Sequence, residues 1–203
     1  MSADNQQGSL TMTPQRLHAE PLQWDIYRAY LLGAVHDGTY NKLHNSFRFS
    51  QNNYLWLKRV KSILKKMGYK SWIYKEGKNR NVYALETTAS CLEMNFDPFL
   101  FETHVERTAY VRGYFDAEGG TPQSLKASFY IQICQKNRTE IEKIKLILKE
   151  LNISSGKIHN PSKAVDPNYW RFYISAKSHR DFVTLISSWH PRKYQIFQSR
   201  VMI

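Results

Sequence analysis

The 203-residue sequence predicts an α+β protein of two similar halves, each running helix, two strands, helix, two strands, with a trailing helix clear only in the second. Three observations predict it. The stretches YLLGAVHDGT (30–39) and YVRGYFDAEGG (110–120) share a plan: an aromatic, apolar residues around a glycine, then an acid followed by glycine. FRFSQNN (47–53) lies over IQICQKN (131–137), which sets Gln51 against Gln135 at a spacing of 84 residues. Met67 and Leu151, closing the next amphipathic segment, keep that spacing, so the helix there has equal length in both halves. The acids Asp37 and Glu118 are 81 apart, which makes the second hairpin three residues longer.

Residues 24–37 carry apolar side chains at Trp24, Ile26, Tyr27, Tyr30, Leu31, Ala34 and Val35, predicting a helix with one wide buried face that ends at Gly38. Residues 39–51 predict a hairpin: 41–45 are turn chemistry, and Ser46-Phe47-Arg48-Phe49-Ser50 alternates with the phenylalanines inward. An amphipathic helix follows over 52–67. It turns Trp56, Val60, Ile63, Leu64 and Met67 inward and Lys58, Arg59, Lys61, Lys65 and Lys66 outward, and Gly68 stops it. Strands over 71–76 and 82–87 are joined by the basic turn 77–80, and 89–103 is linker-like with a short helix before Asp97-Pro98.

The stretch 110–120 has no polar face until Asp116 and Glu118, as a helix buried on all sides requires, and Gly119-Gly120 suits a helix end needing positive φ. Residues 125–135 alternate as a strand with Ile131 and Ile133 inward and Gln132 outward. Residues 139–152 form a helix on Ile141, Ile144, Leu148 and Leu151, followed by strands over 157–159 and 169–175 and helices over 178–188 and 193–202. Residues 1–20 are polar and predict a flexible leader, leaving halves at 21–103 and 104–203.

Lys and Arg number 29 against 17 Asp and Glu, a net +12, and 13 Tyr, 10 Phe and 5 Trp accompany that charge. Nucleic acid is the partner this balance favours. No stretch approaches the roughly 18 consecutive apolar residues of a membrane span. Cys91 and Cys134, two and far apart, predict a reducing compartment, cytoplasmic or organellar, with neither a disulfide scaffold nor zinc spacing. A carboxylate ending an apolar helix sits near the negative end of the helix dipole, and a divalent cation offsets that. His36, beside Asp37, is assigned a structural or DNA-proximal role.

With these residues in place the chain resembles a single-chain LAGLIDADG homing endonuclease. GYFDAEG (113–119) matches the family signature closely, with Glu118 on the acidic position that holds metal. LLGAVHDG (31–38) matches less closely, its glycine four rather than five residues before the acid, and Asp-Gly-Thr leading into a hairpin assigns Asp37. The resemblance covers about 24 to 203. It implies two pseudo-symmetric αββαββ(α) halves whose signature helices pack on a pseudo-two-fold axis. They bring Asp37 and Glu118 together under a saddle of two antiparallel four-stranded sheets that takes duplex DNA in its major groove.

The activity it implies is metal-dependent double-strand cleavage at a long asymmetric site by an intron-encoded monomer. Two or three Mg²⁺ or Mn²⁺ ions are shared between the two acids, and zinc is disfavoured because neither acid has a His or Cys set beside it. Gln51 and Gln135 order water around the metals in such a site, and Lys193, or its neighbour Arg192, completes it. Strand parity turns Ser46, Arg48 and Ser50, and in the second half Ser128, Tyr130, Gln132, Arg171 and Tyr173, toward the groove. Arg48 and Arg171 suit guanine and Gln132 adenine. Lys42, His44, Lys75, Lys78, Arg80, Lys126, Lys157, His159 and Lys163 lie on hairpins or strand ends, placed for phosphate, and the lysines of 52–67 are a solvated face. The alternatives are an intron maturase of the same fold that binds RNA without cutting DNA, and a basic regulatory or RNA-binding module whose acids are incidental.

Overall fold

The computed structural model describes residues 22–202, so the expected leader lies outside the described residues. Helix α1 (Gln23–Ala34) runs on through a 3₁₀ turn (Val35–Asp37) into strand β1 (Gly38–Asn41), then β2 (Ser46–Gln51), α2 (Tyr54–Lys66), β3 (Ser71–Lys75) and β4 (Tyr83–Thr87). The second half repeats the order with α3 (His104–Glu118), β5 (Gly119–Gly120), β6 (Gln132–Gln135), α4 (Arg138–Glu150) and β7 (Trp170–Tyr173), and closes with α5 (His179–Leu185) and α6 (Pro191–Arg200). The first sheet is antiparallel in the order β1-β2-β4-β3. The second runs β5-β6-β7, and its fourth position is filled by the segment 155–159, which meets β7 and the residue after it through the isolated bridges Ser155–Ile174 and His159–Arg171.

The repeated asparagine of QNN and QKN has a structural cause. Asn53 and Asn137 are N-caps, accepting from the amides of Trp56 (3.0 Å) and Thr139 (3.0 Å), so α2 and α4 start in register and both run for 13 residues. Each then buries an apolar stripe on its own sheet: Trp56, Val60 and Leu64 with Phe47, Phe49 and Leu85 in one half, Ile141, Ile144 and Leu148 with Ile133 and Phe172 in the other. α3 is started by a reciprocal box in which Glu106 N–H donates to Thr103 Oγ1 (3.2 Å) and Thr103 N–H to Glu106 Oε2 (3.2 Å).

The halves join along α1 and α3, where Tyr30 and Leu31 on one helix and Tyr110 and Tyr114 on the other are fully buried. Glycine permits this approach. A Cβ on Gly33 falls 2.0 Å from the carbonyl oxygen of Tyr110, and one on Gly113 falls 1.9 Å from that of Tyr30. Both motif glycines therefore sit at the crossing although their distances to the acids differ. The 3₁₀ turn before Asp37 explains the difference: it rises about 2.0 Å per residue against about 1.5 Å in an α-helix, so four residues lift Asp37 almost as far as five lift Glu118.

Several sequence expectations are corrected. Trp24 is 40% exposed, since the buried face of α1 begins at Ala29. Gly119 has φ −81° and Gly120 is not left-handed either; they enter β5, and a Cβ there meets the Phe115 side chain and carbonyl oxygen or the Gln132 side chain. Close contact rather than positive φ selects these two glycines. The short helix of the linker follows Asp97 instead of preceding it, with Asp97 capping a 3₁₀ turn over Pro98–Leu100. The strand expected over 125–135 is confined to Gln132–Gln135. Pro122 brings no amide donor to an edge ladder, and Arg200 of α6 donates to the carbonyl oxygens of Leu125 and Ala127, so 121–131 runs as a loop.

Candidate active site at the helix seam

Asp37 ends the 3₁₀ turn after α1 and Glu118 is the last residue of α3, so the seam that packs the two glycines also delivers both acids to one place. Each is mostly buried. Burial is the main cause that raises Asp37 from 3.8 to about 6, with the Gln51 amide and Lys193 opposing it. Burial likewise leads in raising Glu118 from 4.5 to about 7; the Asp37 carboxylate adds to the rise, while the Gln135 amide and Lys193 oppose it. Two desolvated acids, one of which raises the proton affinity of the other, form a site with a deficit of positive charge.

Gln51 and Gln135 end β2 and β6 beside these acids. The Gln51 amide donates to Asp37 Oδ2, and Gln135 lies against Glu118. Lys193, in the first turn of α6, is 4% exposed, and its Nζ donates to the carbonyl oxygens of Phe115 (2.6 Å) and Asp116 (2.8 Å). Those carbonyls belong to the last turn of α3, where the Phe115 oxygen also accepts from the Gly119 amide, so Lys193 caps the helix whose end carries Glu118. Burial lowers its pKa to about 8, against the pull of Asp116, Asp37 and Glu118, which leaves it largely a cation at neutral pH.

Sequence reasoning missed the part played by Asp116. It is 1% exposed and accepts from Tyr30 Oη (2.8 Å), Ser188 Oγ and the Trp189 amide (2.8 Å), and Trp56 Nε1 donates to Tyr30 Oη (2.9 Å). This network ties α1, α2 and α3 to the corner 188–190 that leads into Lys193. The corresponding position of the first motif holds Val35, and that exchange of an apolar residue for an acid was the available signal. His36 Nε2 lies 2.7 Å from Tyr110 Oη, and burial lowers its pKa to about 4, a neutral ring with a structural place in the seam.

Among the described residues no group of three or more His, Cys, Asp or Glu side chains gathers as a ready metal cage. The donor set is instead two carboxylates flanked by two amides. That suits a hard divalent cation completing its shell with water and phosphate oxygens, and does not suit zinc.

Without such a cation the acid pair has a pH signature. Both folded pKa values lie above their ordinary ones, so folding takes up protons, and the penalty is absent below about pH 4 and complete above about pH 7. In chelator-treated protein the thermal midpoint is expected to fall between about pH 5 and 8 by on the order of 5 °C from this pair. The double variant Asp37→Asn/Glu118→Gln flattens that part of the profile. An identical slope in both proteins excludes the pair as its source.

On the outer face of the first sheet the register aligns Thr39, Arg48, Glu86 and Trp72 across the strands. Arg48 is braced there by Glu76 (2.8 Å) and, more loosely, Glu86 (4.0 Å), and lies over the Tyr74 ring. Ser50 is exposed on this face, but Ser46 is 6% exposed at the turn end of the ladder opposite Asn41, a correction to the parity argument. Lys42 and His44 sit exposed on the first turn, and Lys75, Lys78 and Arg80 on the second. The exposed aromatics Trp72 and Tyr74 share the face and were not singled out from the sequence.

In the second sheet Gln132 pairs with Tyr173 and Cys134 with Arg171, and His159 bridges Arg171 from the other side, so these side chains share one face. Ser128 and Tyr130 lie in the loop rather than on a strand, although Tyr130 packs edge-on against Tyr173 at 6.0 Å. Lys126, Lys157 and Lys163 are exposed on their loops. Cys91 and Cys134 are free thiols.

Residues 106–187 match the model of the LAGLIDADG-like domain family. No curated protein sequence matches the chain. Among solved structures, I-DmoI in complex with DNA and Mn is similar at 20% identity and TM-score 0.57, covering 81% of this chain and 98% of its own. I-DmoI in complex with DNA and Ca gives 18%, 0.62, 88% and 100%. Full-length DUF199/WhiA from Thermatoga maritima gives 18% identity and TM-score 0.66, covering 90% of this chain, which spans 62% of that protein. The second half thus matches the LAGLIDADG-like domain model, and the chain, with its two halves meeting at glycine-packed helices, has the fold of I-DmoI and WhiA.

Proposed function

We propose that this chain is a divalent-metal-dependent DNA endonuclease, acting as a monomer of halves 21–103 and 104–203, that cuts both strands of one long asymmetric site. The observation that carries the reading is the buried pair Asp37 and Glu118, each with a raised pKa, at the seam between two sheets with basic rims. I-DmoI, solved with DNA and Mn, shares the fold. An intron-borne gene and a cytoplasmic or organellar setting belong to the same proposal.

The two carboxylates would hold Mg²⁺ or Mn²⁺. Such ions lower the pKa of bound water and stabilise the oxygens that enter and leave phosphorus. Gln51 and Gln135 fix the orientation of the acids and offer uncharged amides to surrounding water, so they do not compete for the cations. Lys193 keeps a positive charge beside the site as negative charge grows on phosphate. Because the halves differ in sequence, Arg48 on one face and Gln132 and Arg171 on the other can read different bases, and the exposed lysines of the turns fix the duplex by its phosphates.

The test is incubation of the protein and Mg²⁺ with a randomised duplex library, followed by sequencing of the cut ends. One recurrent asymmetric site with short 3′ overhangs is expected; absence of cutting with both Mg²⁺ and Mn²⁺, or cutting without sequence preference, sinks the proposal. On the recovered site, Arg48→Ala is expected to relax preference at one base pair and weaken binding by about 1 to 3 kcal/mol. A uniform loss over all sequences would make Arg48 a phosphate contact.

A further inference from the structure

Helix α2 carries a charge pattern that its counterpart lacks. Lys58, Arg59, Lys61, Lys65 and Lys66 are all exposed, with no acid in the helix and no ion pair to any of them among the described residues. α4, in the matching place of the other half, mixes four basic residues with three glutamates and pairs Arg138 with Glu142 (2.8 Å) and Lys143 with Glu140 (3.1 Å). An unbalanced cationic stripe on one of two related helices needs its own explanation. The groove does not supply it, because α2 packs on the core side of the first sheet and Arg48 lies on the opposite side.

Beside that stripe lies an open cleft of about 670 Å³ between α2 and the corner 187–194. Leu55, Lys58, Arg59 and Ser62 line one wall, and Trp189 and Tyr194 the other. Cations and rings meet in and around it: Arg59 lies 5.9 Å from the Trp189 ring within the cleft, Lys58 Nζ 4.8 Å from the Tyr54 ring at its edge, and Lys66 5.6 Å from Tyr27 in the adjoining recess. Tyr194 keeps 38% of its surface exposed.

We propose that this cleft is a second nucleic-acid site that takes a single strand, its phosphates along the stripe Lys58–Arg59–Lys66 and a base against Tyr194. Charge beside aromatic surface matches a ligand that alternates phosphate and base. Inorganic phosphate or a lipid headgroup would leave the rings unused. The inference does not depend on duplex cleavage.

The test uses the full chain and two fluorescein-labelled probes of about 16 nucleotides, oligo(U) and oligo(dT), with binding read by anisotropy over a salt series. The variant Lys58→Glu/Arg59→Glu/Lys66→Glu is compared with Lys75→Glu/Lys78→Glu/Arg80→Glu, which changes net charge equally at the groove rim. The α2 variant is expected to lose about 30-fold or more in single-strand affinity and to flatten the log–log salt slope by about 2, with the rim variant within about threefold of native. Tyr194→Ala is expected to weaken binding about tenfold with the salt slope unchanged. Thermal midpoints confirm that the variants fold, and the ratio of the two probes assigns RNA or DNA as the source. Equal losses in the two triple variants, a larger loss at the rim, an indifferent Tyr194→Ala, or no native binding at about 50 mM salt overturns the proposal.

Discussion

Asp37→Asn or Glu118→Gln is expected to slow duplex cleavage by about a thousandfold or more while duplex affinity stays within a few-fold of native. Each change is nearly isosteric, so the seam between α1 and α3 keeps its packing. What it removes is charge: one neutral amide leaves a single carboxylate for the proposed divalent ions, and in Asp37→Asn the remaining Glu118 also loses the neighbour that raises its pKa. In the proposed mechanism affinity for the duplex would come from the cations of the rims, and neutralising a buried acid would only lessen repulsion of the incoming phosphates. The same variants are expected to match or exceed native stability in chelator, because they relieve a desolvated like-charge pair. That combination separates loss of chemistry from loss of fold. Single-turnover cleavage in Mg²⁺, duplex anisotropy and thermal unfolding measure the three quantities, and cutting at the native rate in both variants would end the mechanism.

The parts of this site legible in the sequence are those that obey a period. Gln51 and Gln135 stood out because each closes an alternating strand, and the asparagine two positions later proved to be the cap that keeps both halves in register. The paired acids were legible for the same reason. Asp116 was not, because its burial depends on Tyr30, Ser188 and Trp189, which approach it from two segments 72 to 86 residues away. The bracing of Arg48 by Glu76 also escaped, since strand parity describes a face and says nothing of which side chains on it neutralise one another. The Gly119-Gly120 pair was assigned to the right place for the wrong cause, close packing and positive φ being two separate demands that the same residue satisfies.

Gly113→Ala and Gly33→Ala are expected to destabilise the protein by about 3 kcal/mol or more each, lowering the thermal midpoint by roughly 6 to 12 °C. The sign is informative, because alanine in place of a helical glycine otherwise favours the helix by up to about 1 kcal/mol. Here the new methyl meets main chain rather than a movable side chain: the Tyr30 carbonyl oxygen at 1.9 Å and the Ala34 nitrogen at 2.9 Å for Gly113, the Tyr110 carbonyl oxygen at 2.0 Å and the Tyr114 nitrogen at 2.7 Å for Gly33. Neither helix can yield by changing a rotamer, so the two must part along their length, and Asp37 and Glu118, carried on their ends, part with them. Cleavage should therefore fall in the surviving folded protein as well. Gly156→Ala is the control, its nearest neighbour being the Tyr173 carbonyl oxygen at an ordinary 3.7 Å, with an expected change within about 0.5 kcal/mol. If Gly113→Ala unfolds at the native temperature, the helices do not meet at this glycine and the acids are not held together by that contact.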